Sequence, residues 1–305
     1  MTHQSLPAGL HPETLAVRQA QPRSHWGEHC EALFMTSSFV QPDCATAAAR
    51  FANPQEGFTY SRTGNPTVAS FEERLAAMEG TECAVATSTG MSAILLVALT
   101  ALKAGDHIVA SQSMFGSTMR LLGTEMARFG IESTFVPQTD AQAWAAAIRP
   151  NTKLLFAETP TNPLTDLCDI QALADIAHHH GALLVVDNSF ATPVLQRPVE
   201  FGADIVVHSG TKFLDGQGRI MIGAVCGTTA LVDKVMGTFL RSGGLNAAPY
   251  NAWTAMKGLE TLALRVKAQS ASALTLAAWL QDHPKVARVY YPGLQSHPQH
   301  ALAMR

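Results

Sequence analysis

Two short apolar runs each end in residues that can do acid–base or nucleophilic chemistry. Ala182-Leu183-Leu184-Val185-Val186 stops at Asp187, and Ala203-Asp204-Ile205-Val206-Val207 stops at His208-Ser209-Gly210-Thr211-Lys212. Such runs read as buried parallel strands, and open α/β sheets bind ligands just beyond the carboxyl ends of those strands. Taken singly, each residue has an ordinary explanation: an Asp after a strand is often a cap, and a Lys there is usually solvated. Together they make the donor set of one cofactor. Pyridoxal phosphate (PLP) needs a carboxylate on its pyridine nitrogen, a lysine amine for the Schiff base, and hydroxyls or N–H groups for its phosphate. Ser209 and Thr211 flank a glycine in a turn whose amides and hydroxyls can converge on phosphate oxygens, with Lys212 beside them.

Three further segments fit the same ligand. Thr87-Ser88-Thr89-Gly90-Met91-Ser92 places a small-residue turn between a strand and an apolar helix. The helix N-terminus there offers unpaired N–H groups and partial positive charge, and Gly90 lets the backbone approach an anion closely. Phe115 follows a strand end and can stack on a flat ring. In Glu158-Thr159-Pro160-Thr161-Asn162-Pro163, two X-Pro turns hold Asn162 where it can hydrogen-bond a ring hydroxyl oxygen.

The elements that must position these residues alternate. Helical spacing covers 67–78, with Gly80 as C-cap, and a strand is expected at 83–87, followed at once by a helix from Gly90. Strands at 107–110, 133–136, 153–157, 183–186 and 205–208 are interleaved with helices at 117–129, 141–148 and 170–179. A last strand at 220–226 is expected to close a hairpin at the sheet's edge. The pattern predicts an α/β fold, a mostly parallel sheet of about seven strands covered by helices. Residues 1–63 read as an irregular arm with one short helix. A single long helix is expected over 251–280, and 286–291 has strand character.

Composition excludes several classes. With 305 residues, 47% hydrophobic, the chain can bury a large core, and a net charge of −3 gives no basic field for nucleic acid or a membrane surface. The apolar stretch 91–102 falls short of the roughly 20 residues that span a bilayer. No secretory pattern opens the chain, so a cytoplasmic protein acting on a small molecule is expected. The five cysteines are widely spaced and odd in number, which disfavours disulfides and zinc and suggests small buried hydrophobes. His178-His179-His180 ends a helix, where three consecutive positions cannot face one ion, so no metal is expected. Gly216-Gln217-Gly218 lacks the G-x-G-x-x-G spacing of a dinucleotide site.

Taken in order, Tyr60-Ser61-Arg62, Thr89-Gly90-Met91, Glu158 to Pro163, Val186-Asp187-Asn188 and His208 to Lys212 resemble the PLP-dependent cystathionine synthase and lyase family of cysteine and methionine metabolism. Within it, Phe115-Gly116-Ser117-Thr118, Lys212 to Arg219 and Lys257-Gly258-Leu259-Glu260-Thr261-Leu262 resemble the O-succinylhomoserine sulfhydrylases. The resemblance implies a type I aminotransferase-like fold and a γ-replacement that converts O-succinylhomoserine and sulfide to homocysteine and succinate. It implies Lys212 as Schiff-base lysine and proton carrier, Asp187 on the pyridine nitrogen, and Ser209, Thr211, Gly90 and Met91 on the phosphate. It also implies that Tyr60 and Arg62 reach the phosphate of a neighbouring subunit, hence a homodimer or homotetramer.

On this basis the chain divides into an arm at 1–63, a PLP-binding domain at 64–250, and a linking helix with the start of a C-terminal α+β domain at 251–305. Family members continue through a fuller C-terminal domain carrying an arginine for the substrate carboxylate, and no residue here matches it. The 305 residues are then part of a longer protein, or substrate anchoring is impaired in a cofactor-binding remnant. A cystathionine γ-synthase or γ-lyase on the same scaffold is the other alternative. Related lyases carry a tyrosine where this chain has Phe115, and losing that phenol suits a small acidic nucleophile such as hydrosulfide. Phe115→Tyr is therefore expected to shift acceptor preference from sulfide toward cysteine in a competition assay. An unchanged preference would count against this role.

Overall fold

The computed structural model describes residues 6, 7, 9–53 and 56–305; residues 1–5, 8, 54 and 55 of the expected arm lie outside the described residues. Seven strands form one sheet: β1 (Cys83–Thr87), β2 (His107–Ser111), β3 (Glu132–Val136), β4 (Thr152–Glu158), β5 (Leu183–Asp187), β6 (Ile205–Ser209) and β7 (Gly223–Gly227). Their order is β1-β7-β6-β5-β4-β2-β3. β2 pairs in parallel with β3 and β4, β4 with β5, and β5 with β6, whereas β1 and β7 are antiparallel. Parallel neighbours need crossover connections, and the helices between these strands supply them. In the β4–β5 ladder Glu158 lies opposite Asp187, so the two strands end level.

The chain packs as two compact units, residues 1–96 with 209–260 and residues 97–208 with 261–305. In the first, Asn65 caps the helix Pro66–Glu79 by accepting a hydrogen bond from the Thr67 N–H at 2.9 Å, and Gly80 ends it at φ 75°. The helix buries Phe71, Leu75 and Met78 and packs against β1 and the helix Pro249–Leu259. It also buries Arg74, which is tolerable only with charge partners. Glu31 supplies one through a direct ion pair, the Gln19 carbonyl accepts from Arg74 Nε at 2.9 Å, and Glu260 stands 3.6 Å away. Lys257 closes the cluster, its Nζ 2.5 Å from Glu31 and 2.6 Å from Glu260. This pins the N-terminal arm to two helices.

In the second unit, Trp144, Leu155, Leu173, Ala177, Leu184 and Val186 form a continuous core between the helices Ala141–Ala146 and Ile170–His179 and the sheet. The C-terminal stretch is tied on by Gln299, which accepts from the Leu167 N–H at 2.8 Å and donates to the Leu167 carbonyl at 2.7 Å.

Several expectations are corrected. The arm holds two helices, Pro12–Arg18 and Cys44–Ala52. The segment 117–129 is an α-helical turn Gly116–Arg120, a wider π turn Leu121–Glu125 and a tight 3-10 turn Met126–Phe129. Gly123 lies so close to Phe135 that a Cβ there would sit 2.9 Å from its ring. β7 is not at the edge: it lies between β6 and β1, fully buried, where an edge position would leave apolar backbone unpaired. The expected helix 251–280 breaks between Pro249–Leu259 and Leu262–Gln281, where Thr261 leaves helical geometry (φ −112°, ψ 4°) at the start of the second piece. Residues 286–291 form no strand, as a lone strand without a partner is not stable. Cys30 and Cys44 are exposed thiols, while burial pushes Cys168 up to about 12.

Burial by itself would raise the Glu31 carboxyl, but the Arg74 charge and hydrogen bonds from Lys257 and Arg74 outweigh it and hold it down at about 2. Its contribution to stability is therefore complete above the ordinary value of 4.5 and is lost as pH falls toward 2. Glu31→Gln should destabilise the protein by about 3 kcal/mol at neutral pH, since Arg74 is left buried without its anion. In thermal unfolding at stepped pH, the gap between variant and parent should narrow below 4.5. A gap that stays constant to pH 2 would show that the pair contributes nothing through charge.

Candidate active site

In the first unit, three chain segments meet around glycines. A Cβ on Gly90 would lie 2.7 Å from the Ser209 Cβ, one on Gly210 2.5 Å from the Ile222 side chain, and one on Gly223 2.2 Å from the Thr89 carbonyl oxygen. The turn before the helix Gly90–Ala101, the turn after β6 and the start of β7 are thus in backbone contact. Thr89 caps the helix, its hydroxyl accepting from the Ser92 N–H at 3.0 Å, and Ser88 and Ser92 hydroxyls stand 2.9 Å apart. Gly90, Met91, Ser209 and Thr211 are half-buried, which leaves amides and hydroxyls in reach of an anion.

Lys212 is exposed, on a turn that is braced from below. The Lys212 N–H donates to the Ser209 carbonyl at 3.2 Å, and the Lys212 carbonyl accepts from the Gly216 N–H at 2.8 Å. Fully buried Asp215 accepts from the Arg219 N–H and Arg219 Nε, each at 2.8 Å. Burial opposes the charge on Asp215, but the Arg219 bonds prevail and hold its carboxyl below the usual range. Gly258 completes the brace: a Cβ there would fall 2.1 Å from the Leu214 carbonyl oxygen. Tyr60 and Arg62 are exposed in the same unit, the guanidinium 5.5 Å from the Tyr60 ring centre and donating to the Arg241 carbonyl.

In the second unit, Asp187 is half-buried at the end of β5 and accepts from the Ser189 N–H at 3.0 Å. Beside it, Glu158 accepts from the Phe115 N–H at 2.9 Å. This fixes the backbone of Phe115, whose side chain is 52% exposed and free to cover a ring. Asn162 is exposed on the loop after β4, between cis peptide bonds at Thr159-Pro160 and Asn162-Pro163. Gln196 ties that loop to the one after β5, donating to the Thr159 carbonyl at 3.1 Å and to Asn188 Oδ1 at 3.0 Å.

The donor set fits PLP in both units. The glycine-lined cradle, the helix N-terminus and the hydroxyls suit a phosphate, and an exposed lysine, Lys212, directly follows Thr211, which carries one of those hydroxyls. A carboxylate with an aromatic ring nearby suits a protonated pyridine. Fold and donor set together define a PLP-dependent enzyme. The chain belongs to the Cys/Met metabolism PLP-dependent enzymes, whose family model matches residues 13–305. It is 56% identical over 293 residues to an O-succinylhomoserine sulfhydrylase of Pseudomonas aeruginosa, covering 96% of this chain and 72% of that one. It is 40% identical over 294 residues to an L-methionine gamma-lyase of Porphyromonas gingivalis, covering 96% and 74%. The crystal structure of metB from Corynebacterium glutamicum superposes with a TM-score of 0.91 at 34% identity, covering 97% of this chain and 75% of that one.

Sequence reasoning gave no role to Asp215, Arg219, Gly258, Asn188 or Gln196. These act on the turn geometry through buried contacts between segments far apart in the chain. The spacing Asp215-x-x-x-Arg219 was the one local signal available. Gly258→Ala should push the Leu214 carbonyl away and disturb the Lys212 turn, costing about 1–3 kcal/mol of stability. A lowered melting temperature with weaker cofactor retention is the expected result; normal retention would show that the brace does not reach Lys212.

Proposed function

We propose that this protein catalyses γ-replacement on O-succinylhomoserine, with sulfide as acceptor, yielding homocysteine and succinate in methionine biosynthesis. The observation that carries this reading is the 56% identity to the Pseudomonas aeruginosa sulfhydrylase over nearly the whole chain. PLP, when bound, supplies a protonated ring that draws electron density from the carbon bearing the substrate amine.

The chain's own residues do the rest. Gly90 and Met91 amides with Ser209 and Thr211 hydroxyls hold the phosphate, and Asp187 holds the ring nitrogen's proton through its carboxylate. Phe115 covers the ring, and Asn162 bonds its hydroxyl oxygen. The Lys212 amine takes the proton from the α-carbon and handles proton transfer at the β-carbon. The γ-carbon's bond to the succinate oxygen breaks, a bond to sulfur forms there, and Lys212 returns the protons that complete homocysteine. Phe115 has no hydroxyl to offer an acceptor, which agrees with hydrosulfide, a nucleophile that needs no help to ionise.

Tyr60 and Arg62 project from the arm to a phosphate bound by another copy, so the working form is a homo-oligomer of two or four chains. A cytoplasmic location goes with this reading; among the described residues no helix is long and apolar enough to cross a membrane. The likeness to an L-methionine gamma-lyase keeps elimination as a second reading, marked by 2-oxobutanoate release without sulfide.

Lys212→Ala should lower sulfide-dependent succinate release by about a thousandfold, the range of a lost general base. Borohydride should fix cofactor to the parent chain and not to the variant. Undiminished turnover by the variant would remove Lys212 from the chemistry.

A further inference from the structure

Glu158 lies at the end of β4, 4% exposed, as the register partner of Asp187 on β5. Register partners on neighbouring parallel strands project to the same side of the sheet, so two carboxyl groups share one strand-end environment. The groups that contact Glu158 carry no compensating cation. One oxygen accepts from the Phe115 N–H at 2.9 Å, the backbone N–H of Asn162 is close by, and Gln138 donates to the Glu158 main-chain carbonyl at 2.6 Å. The other carboxyl oxygen, Oε1, is buried and has no hydrogen-bond partner among the described residues. An ionised carboxylate buried in this way, beside a second carboxylate, is strongly disfavoured.

We infer that Glu158 is a positioning residue that ties the Phe115 backbone to the end of β4 and, in its protonated form, leaves the negative charge of the pair on Asp187. Burial first, and then the Asp187 charge, push the Glu158 carboxyl up to about 7, with the Phe115 and Asn162 N–H groups pulling against them. Asp187 is the charged neighbour in this balance; Phe115, Asn162 and Gln138 present uncharged groups. The division of labour is chemically useful. A second negative charge next to Asp187 would repel its charge and weaken its hold as an anion on a pyridine nitrogen. In its protonated form, Glu158 anchors the aromatic residue that would cover the ring without competing for the ring's proton.

The inference rests on the cofactor reading above and is tested on protein purified with its cofactor. The infrared band of protonated carboxyl groups is followed as pH is stepped through 7 in the parent and in Glu158→Gln. The parent should lose one acid band with a midpoint near 7 that the Gln variant lacks. Cofactor dissociation constants give the second readout. Glu158→Gln keeps an oxygen for the Phe115 N–H and should bind within about twofold of the parent, whereas Glu158→Ala should bind about tenfold more weakly, the worth of one hydrogen bond. No difference in the acid band, or a Gln variant as impaired as the Ala variant, would overturn the inference. Turnover with sulfide in a parent lacking the band refutes this role alone. A parent that shows the band but does not process O-succinylhomoserine refutes the proposed function instead.

Discussion

The parallel ladder between β4 and β5 sets Glu158 directly across from Asp187, and the chemistry of the second unit depends on that register. Backbone groups inside such a ladder are all used by their neighbours, so a strand interior has nothing to offer a ligand. Only where the ladder stops do side chains and amides become available, and two strands that stop level bring their last side chains into one neighbourhood. A slip of one strand by one residue would turn its carboxyl to the face opposite the other. The buried apolar residues, Leu155 and Ala157 on β4 and Leu184 and Val186 on β5, prevent that slip, since the slipped strand's pair would leave the core.

The acidity of the same side chain is driven in opposite directions in the two units. Glu31 and Glu158 are about equally buried, yet Glu31 is held at about 2 and Glu158 is pushed to about 7. The difference is the company each keeps. Glu31 has Arg74 and Lys257 within ion-pair reach, which stabilise its charge more than burial disfavours it. Glu158 has a carboxylate and neutral amides, so burial prevails. The first arrangement holds an irregular arm against two helices; the second favours the protonated acid beside Asp187.

Close backbone approach plays the corresponding part around Lys212. Gly90, Gly210 and Gly223 allow the Thr89 turn, the Ser209 turn and β7 to touch, and Gly258 lets a helix lie against the Leu214 carbonyl. No side chain larger than hydrogen fits at these contacts without displacing backbone or a packed neighbour. The lysine therefore stands on a turn whose shape is fixed from beneath, while its own side chain remains exposed.

The sequence by itself determined the alternation of strands and helices, the strand end at Asp187, the turn carrying Lys212 after the next strand, and the cofactor class. Local periodicity and short motifs carry that information, and the strands 83–87 and 183–187 and the helix 170–179 could be drawn to within a residue. What only the tertiary structure decided is everything that needs two distant segments at once. The placing of β7 between β1 and β6 is one case, and the break at Thr261 and the π turn around Gly123 are others. The Arg74 cluster, the Asp215 brace and the upward shift of the Glu158 carboxyl complete the set. The physical reason is common to all of them: burial, pairing and close approach depend on the neighbours a fold supplies, and a one-dimensional pattern does not record who those neighbours are.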